Sequence, residues 1–139
     1  IKDIDELIMK INLISDSFKV VYCFSRRTSL SAKKMITKKK NPKHSCYDYF
    51  EYNPYWYLIE KSSYFIVSED SVSMISDAIS TGKPVYILKV TKLKRKIRKF
   101  IDLLKVKGVL REFDGKVSSW NYNKINEASR ISKIIAKLF

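Results

Sequence analysis

The chain has 139 residues, 45% of them hydrophobic, with only three glycines and three prolines. That length supports one domain with its own core and leaves little for a flexible linker, and the apolar runs are too short and too often broken by charge to span a bilayer. The formal net charge of +14 invites a nucleic-acid or membrane partner, yet 22 of the 28 basic residues are Lys and six are Arg. A Lys-rich, Ala-poor composition matches AT-rich codons, which alone would give a basic solvated surface. No nucleic-acid-binding motif accompanies the charge, so nucleic acid is the least favoured partner.

Residues 3–14 carry Ile4, Leu7, Ile8, Ile11 and Ile14 at helical spacing, with Asp3 placed to cap them. The opening segment holds acids and no continuous apolar core, so it is not a signal peptide. It also starts without Met, as a trimmed chain would. The expected location is cytoplasmic, with peripheral contact on the inner membrane as the alternative. Residues 19–24 form an apolar run, the pattern of a strand buried on both faces of a parallel sheet. Cys23 lies in it and is expected as a buried free thiol. Cys46 and the lone His44 add no metal-ligand spacing, and two cysteines without CxxC fit a reducing compartment. A loop at Ser25, Arg26, Arg27 and Thr28 follows. Ser29 or Ser31 then caps a short helix to about Lys38. After a basic loop, residues 44–49 predict a short strand, and Pro54 is placed at the first position of a helix to Lys61.

Strand 64–68, helix 71–80 and strand 84–89 come next as one βαβ crossover. Val72, Ile75, Ala78 and Ile79 recur on one helical face, and Ser73, Asp77 and Ser80 on another. Gly82 supplies a left-handed helix end before Pro84. Helix 93–106 has an apolar stripe (Leu93, Ile97, Phe100, Ile101, Leu104) inside a basic coat, and Gly108 ends it. The stripe suits either packing on the sheet or lying on an acidic membrane. Residues 111–122 read as irregular and hold Trp120, and residues 124–139 as a closing helix. Strands alternating with helices predict a single Rossmann-like domain over 1–139, α/β, with a parallel sheet covered by helices on both faces.

Two places can carry chemistry. Arg26 and Arg27 follow the carboxyl end of a strand, where guanidinium forks suit phosphate oxygens and the Ser25 and Thr28 hydroxyls add donors; surface ion pairing is the alternative. The second is the start of helix 71–80. Asp70 or Ser71 is placed as its N-cap. The first-turn N–H groups of Ser71, Val72 and Ser73 suit an anion, while Glu69 and Asp70 suit sugar hydroxyls. Asp77, one turn after Ser73, can accept from a ribose diol or stand as an ordinary exposed carboxylate. Trp120 and the aromatics of 47–57 fit core packing or stacking on a ligand. The sequence from Thr81 to Pro84 lacks P-loop spacing, and no Ser/His/Asp arrangement or metal cluster is visible.

SRRT (25–28), NPY (53–55), EDSVSMISDAISTGKPVYI (69–87), REFDGKVSSW (111–120) and NEASRI (126–131) occur in that order. Together they resemble the carboxyl half of the mitochondrial-fission "elongated mitochondria" family, which includes plant fission proteins and bacterial homologues. That family in turn resembles GT-B glycosyltransferases, whose carboxyl-terminal Rossmann-like domain holds a nucleotide-sugar donor. The resemblance implies that Ser25, Arg26, Arg27 and Thr28 lie near the diphosphate. It places Asp70, Ser71, Ser73, Met74 and Asp77 near the donor sugar and ribose. The family more often has Glu where this chain has Asp77. It implies no metal and no cofactor beyond the nucleotide-sugar substrate. Family members begin this domain with a strand and a Gly-rich loop and carry an amino-terminal acceptor domain. This chain starts in the following helix, so by itself it is expected to be inactive, with a lipid acceptor among possible substrates. The alternative is a non-catalytic interaction platform on the same fold. An AT-biased composition points to a small bacterial genome, where mitochondrial division itself does not apply.

Overall fold

The structure is a computed structural model and describes residues 4–25, 28–48, 54–89, 92–122 and 133. The expected closing helix 124–139 and the two arginines Arg26 and Arg27 fall outside the described residues, Lys133 excepted. The fold is α/β with parallel strands, as the alternating pattern predicts, and is consistent with a Rossmann-like layering. Two compact units are present, one from Asp3–Leu58 with Asp114–Lys116, the other from Ile59–Phe113 with residues from Val117 onward.

In the first unit, α1 (Ile4–Asn12) buries Leu7, Ile8 and Ile11. α2 (Leu30–Lys39) buries Ile36, and Ser29 caps it by accepting the Ala32 N–H at 3.1 Å. The two helices pack together, with Lys39 Nζ 2.7 Å from Asp5. Strands β1 (Val21–Cys23) and β2 (Ser45–Tyr47) pair in parallel, Tyr22 opposite Cys46. Only Tyr22 and Phe24 of the first run are fully buried. The expectation of a strand buried on both faces is therefore corrected to burial on one. Cys23 and Cys46 are free thiols, and Cys23 is half-buried rather than buried.

His44 immediately precedes β2 and is 4% exposed, with neither ring nitrogen hydrogen-bonded. Burial, then the nearby Lys40 ammonium, lower its pKa. A histidine whose folded pKa lies below its unfolded value of 6.5 adds no titration-linked cost while both states are neutral. As pH falls below 6.5 the unfolded chain takes up the proton first, so stability drops until the folded-state pKa is passed. We expect His44→Leu to flatten that acid limb in urea melts between pH 7 and pH 5. It should also add about 1 kcal/mol at pH 7, since the leucine leaves no buried nitrogen unsatisfied. An acid limb unchanged by the substitution would assign it to other groups.

α3 (Tyr55–Lys61) begins one residue later than expected. The Leu58 N–H donates to the Pro54 carbonyl, so Pro54 precedes the helix rather than occupying its first position.

The second unit is the crossover and its extension. β3 (Phe65–Ser68), α4 (Val72–Ser80), β4 (Val85–Leu88), α5 (Arg95–Val106) and β5 (Leu110–Glu112) give a three-stranded parallel sheet in the order β3-β4-β5. β5 corrects the expectation of irregular chain from Arg111. It is three residues long, with Arg111 and Glu112 exposed, so it carries no apolar pattern. Side chains alternate along a strand, and Val85 and Ile87 share a face. Ile75, Ala78 and Ile79 of α4 and Phe100, Ile101 and Leu104 of α5 close over that face, all essentially inaccessible to solvent. The apolar stripe of α5 is thus spent on the sheet. The other face presents Tyr86, whose hydroxyl accepts the Ser118 N–H at 2.8 Å. Trp120 packs edge-on against Tyr86, donates from Nε1 to the Gly108 carbonyl at 3.0 Å, and lies beneath Arg111.

Both helices of this unit end on left-handed glycines, Gly82 (φ 77°) and Gly108 (φ 73°). At Gly108 the closure is complete. Its N–H donates to the Lys105 carbonyl and that of Val109 to Leu104, each at 3.0 Å. The turn delivers Val109 and Leu110 directly into the core.

Candidate functional site

The candidate residues fall on both units. In the first, the segment after β1 folds back on itself. The Thr28 N–H donates to the Ser25 carbonyl at 3.1 Å, and the Ser25 N–H donates to Thr28 Oγ1 at 3.0 Å. The Thr28 hydroxyl is thus engaged as an acceptor, and it also lies 3.4 Å from the Ser25 hydroxyl. Arg26 and Arg27 come between these two residues in the sequence and lie outside the described residues.

In the second unit, the chain leaves β3 through Ser68, Glu69 and Asp70 and enters α4. A parallel strand's carboxyl end followed by a helix amino terminus is the usual ligand edge of an open α/β sheet. Ser71 occupies the N-cap position but makes no capping bond with its side chain, against expectation. The turn is instead organised one step earlier, where the Ser68 hydroxyl donates to the Asp70 carboxylate at 2.5 Å. The Ser71 N–H is taken by the Ser68 carbonyl at 3.0 Å, so it leaves the expected anion-binding set. Val72, Ser73 and Met74 remain as the first-turn donors, whose N–H groups an α-helix does not satisfy internally. Ser73 is exposed, and Met74 and Asp77 are half-buried.

Glu69 is the main departure from the sequence reading. Its side chain is 0% exposed and pairs with Arg98 of α5, at 2.7 Å and 3.4 Å to the two guanidinium nitrogens. Its backbone N–H donates to Leu88 at the carboxyl end of β4. Glu69 is therefore unavailable to sugar hydroxyls, and its carboxylate is neutralised where it would have repelled a diphosphate. A forked pair of this kind needs guanidinium rather than ammonium. That was the available signal, since Arg98 is an arginine beside the α5 apolar stripe in a chain whose cations are overwhelmingly Lys.

A second carboxylate at the same edge is also neutralised. Glu112 lies between Lys105 (3.0 Å) and Lys89 (3.1 Å). The hydrogen bond from Lys105, helped by Lys89, holds its pKa below the ordinary value. The Tyr122 hydroxyl donates to the Lys83 carbonyl behind α4, and burial raises its pKa. Trp120 is a packing residue, as core packing predicts. Trp56 and Tyr57 of α3 are not, being 69% and 62% exposed. No group of three or more potential metal-ligating side chains occurs among the described residues. Nor is any helix among them long and apolar enough to cross a membrane.

Known proteins place the chain. The profile of the family described as mitochondrial fission ELM1 matches residues 2–139. The mitochondrial fission protein ELM1 of Arabidopsis thaliana is 35% identical over 135 residues, covering 91% of this chain and 32% of that protein. An uncharacterized protein of Rickettsia prowazekii (strain Madrid E) is 34% identical over 122 residues, covering 81% of this chain and 34% of its own length. The chain thus spans about a third of the length of these relatives. No solved structure matches. With nearly every residue inside the family profile and the quoted motifs in order, this chain belongs to the mitochondrial fission ELM1 family.

Proposed function

We propose that the chain forms the nucleotide-sugar-binding part of a GT-B-like glycosyltransferase. The observation that carries this reading is the carboxyl end of β3. There the Ser68–Asp70 bond and the Glu69–Arg98 pair fix a polar turn, and α4 follows with Val72, Ser73 and Met74 as first-turn donors. Neutralised Glu69 removes the charge that most opposed a diphosphate there. Asp70 and Asp77 stand at this edge as the carboxylates that would accept from sugar and ribose hydroxyls. In the reaction, an acceptor hydroxyl oxygen bonds to the anomeric carbon as the bond from that carbon to the diphosphate breaks. Arg26 and Arg27 stabilise the charge growing on the leaving diphosphate. The hydroxyl proton passes to a general base on the acceptor side.

The test is a thermal-shift titration of the full-length protein with UDP, GDP, CDP and their sugars at about 150 mM salt. A ligand that binds only the folded state at a hundred times its Kd stabilises by about 2.7 kcal/mol. One nucleotide should raise the midpoint selectively, and Arg26→Ala should abolish the rise. No shift from any of them, in a protein that melts cooperatively, would sink the transferase reading. A second reading, an interaction platform, is favoured by the exposed aromatic pair Trp56 and Tyr57. Under it, the Arg26→Ala, Asp77→Ala double variant keeps cellular function while Trp56→Ala loses it.

A further inference from the structure

We propose that the outward face of α5 docks on an anionic lipid bilayer. The inference is independent of the transferase reading, because it concerns a face pointing away from the sheet. It also differs from insertion of the α5 apolar stripe, which is already buried. Phe100, Ile101 and Leu104 are 0% exposed and already packed. What remains is the opposite side.

α5 sorts its cations. Arg98 and Lys105, flanking the buried stripe, are neutralised by Glu69 and Glu112. Lys92, Lys94, Arg95, Lys96, Lys99 and Lys107 are exposed, and none has an ion-pair partner among the described residues. Asp102 is the single carboxylate of the helix and is exposed with them. Three of the cations, Lys94, Arg95 and Lys96, stand at the cap and first turn, where no acid is present and Lys94 makes no capping bond. Positive charge at the positive end of a helix dipole is unfavourable in the free protein. An anionic surface against that end removes the penalty.

Charge alone would suit any polyanion. The lipid surface is selected by Leu103 and Val106, which are 37% and 86% exposed. At helical spacing Arg95, Lys99 and Val106 lie in one row, and Lys96 and Leu103 in the next. Two apolar side chains among cations match a membrane interface, where bases bind headgroups and apolar side chains enter the acyl boundary.

The experiment is vesicle co-flotation of the full-length protein at about 150 mM salt, with phosphatidylcholine vesicles and with vesicles also holding phosphatidylglycerol. Binding should require the anionic lipid. Arg95→Gln, Lys96→Gln and Lys99→Gln together should lower partitioning about a hundredfold, near fivefold per cation. Leu103→Ser with Val106→Ser should lower it roughly tenfold. A control removing Lys34, Lys38 and Lys43, exposed cations of the other unit, should leave it within twofold. Equal binding to both vesicle types, or an equal loss in the control, would overturn the proposal. So would a serine variant that binds vesicles normally while the glutamine variant loses vesicles and a single-stranded RNA alike. That outcome would assign the face to polyanions in general.

Discussion

Arg98→Ala should destabilise the protein by about 3 kcal/mol, although Arg98 itself is partly exposed. The cost arises at its partner. Glu69 is inaccessible to water, and without the guanidinium its carboxylate loses a bidentate bond that solvent cannot replace. Removing one member of a buried pair is far worse than removing both. The double substitution Glu69→Met, Arg98→Met should therefore lie within about 1 kcal/mol of the parent. The comparison is read as midpoint shifts at constant slope in urea unfolding. A double variant as damaged as Arg98→Ala would mean that the pair is held for its geometry and not merely tolerated. Arg98→Lys should recover only part of the loss, as an ammonium cannot span both oxygens.

Phe100→Ala should cost about 4 kcal/mol. Phe100 is fully enclosed and belongs to the cluster formed by both helices and β4. Its ring has no path by which water could fill the space it leaves, and the surrounding Ile75, Ile79, Ile87 and Leu104 are themselves 0–1% exposed. Against a total stability of roughly 5–15 kcal/mol for a domain, that loss approaches unfolding. Phe100→Leu, which keeps most of the volume, should cost about 1 kcal/mol. Circular dichroism melts of the two variants decide the matter. A mild effect of alanine would mean that α5 collapses onto the sheet and that this core is softer than its burial indicates.

The crossover was legible because its signals agree. The apolar residues of α4 recur at 3.6 spacing, and the helix found, Val72–Ser80, starts one residue inside the reading of 71–80. β3 and β4 likewise fall within one residue at each end of theirs. β5 escaped because a three-residue edge strand with two charged, exposed members has no periodicity to read. The turn before α4 misled for a different reason. Glu69 and Asp70 look alike in sequence, both acids before a helix, and the partner that separates their roles lies 29 residues away on α5. Trp56 and Tyr57 show the same limit from the other side, since nothing local tells an aromatic that packs from one that stands out.

The two tryptophans divide the labour of reporting on this molecule. Trp120 is held edge-on to Tyr86 with a guanidinium 4.1 Å above its ring, whereas Trp56, edge-on to its neighbour Tyr55, is 69% exposed. The emission of Trp120 therefore carries the quenching and polarity of a folded environment and changes when the face of the sheet that it covers is lost. Trp56, largely exposed beside Tyr55, changes less on unfolding and responds to whatever touches α3. One spectrum thus contains a folding channel and a contact channel, separable by a Trp56→Phe background without any added dye.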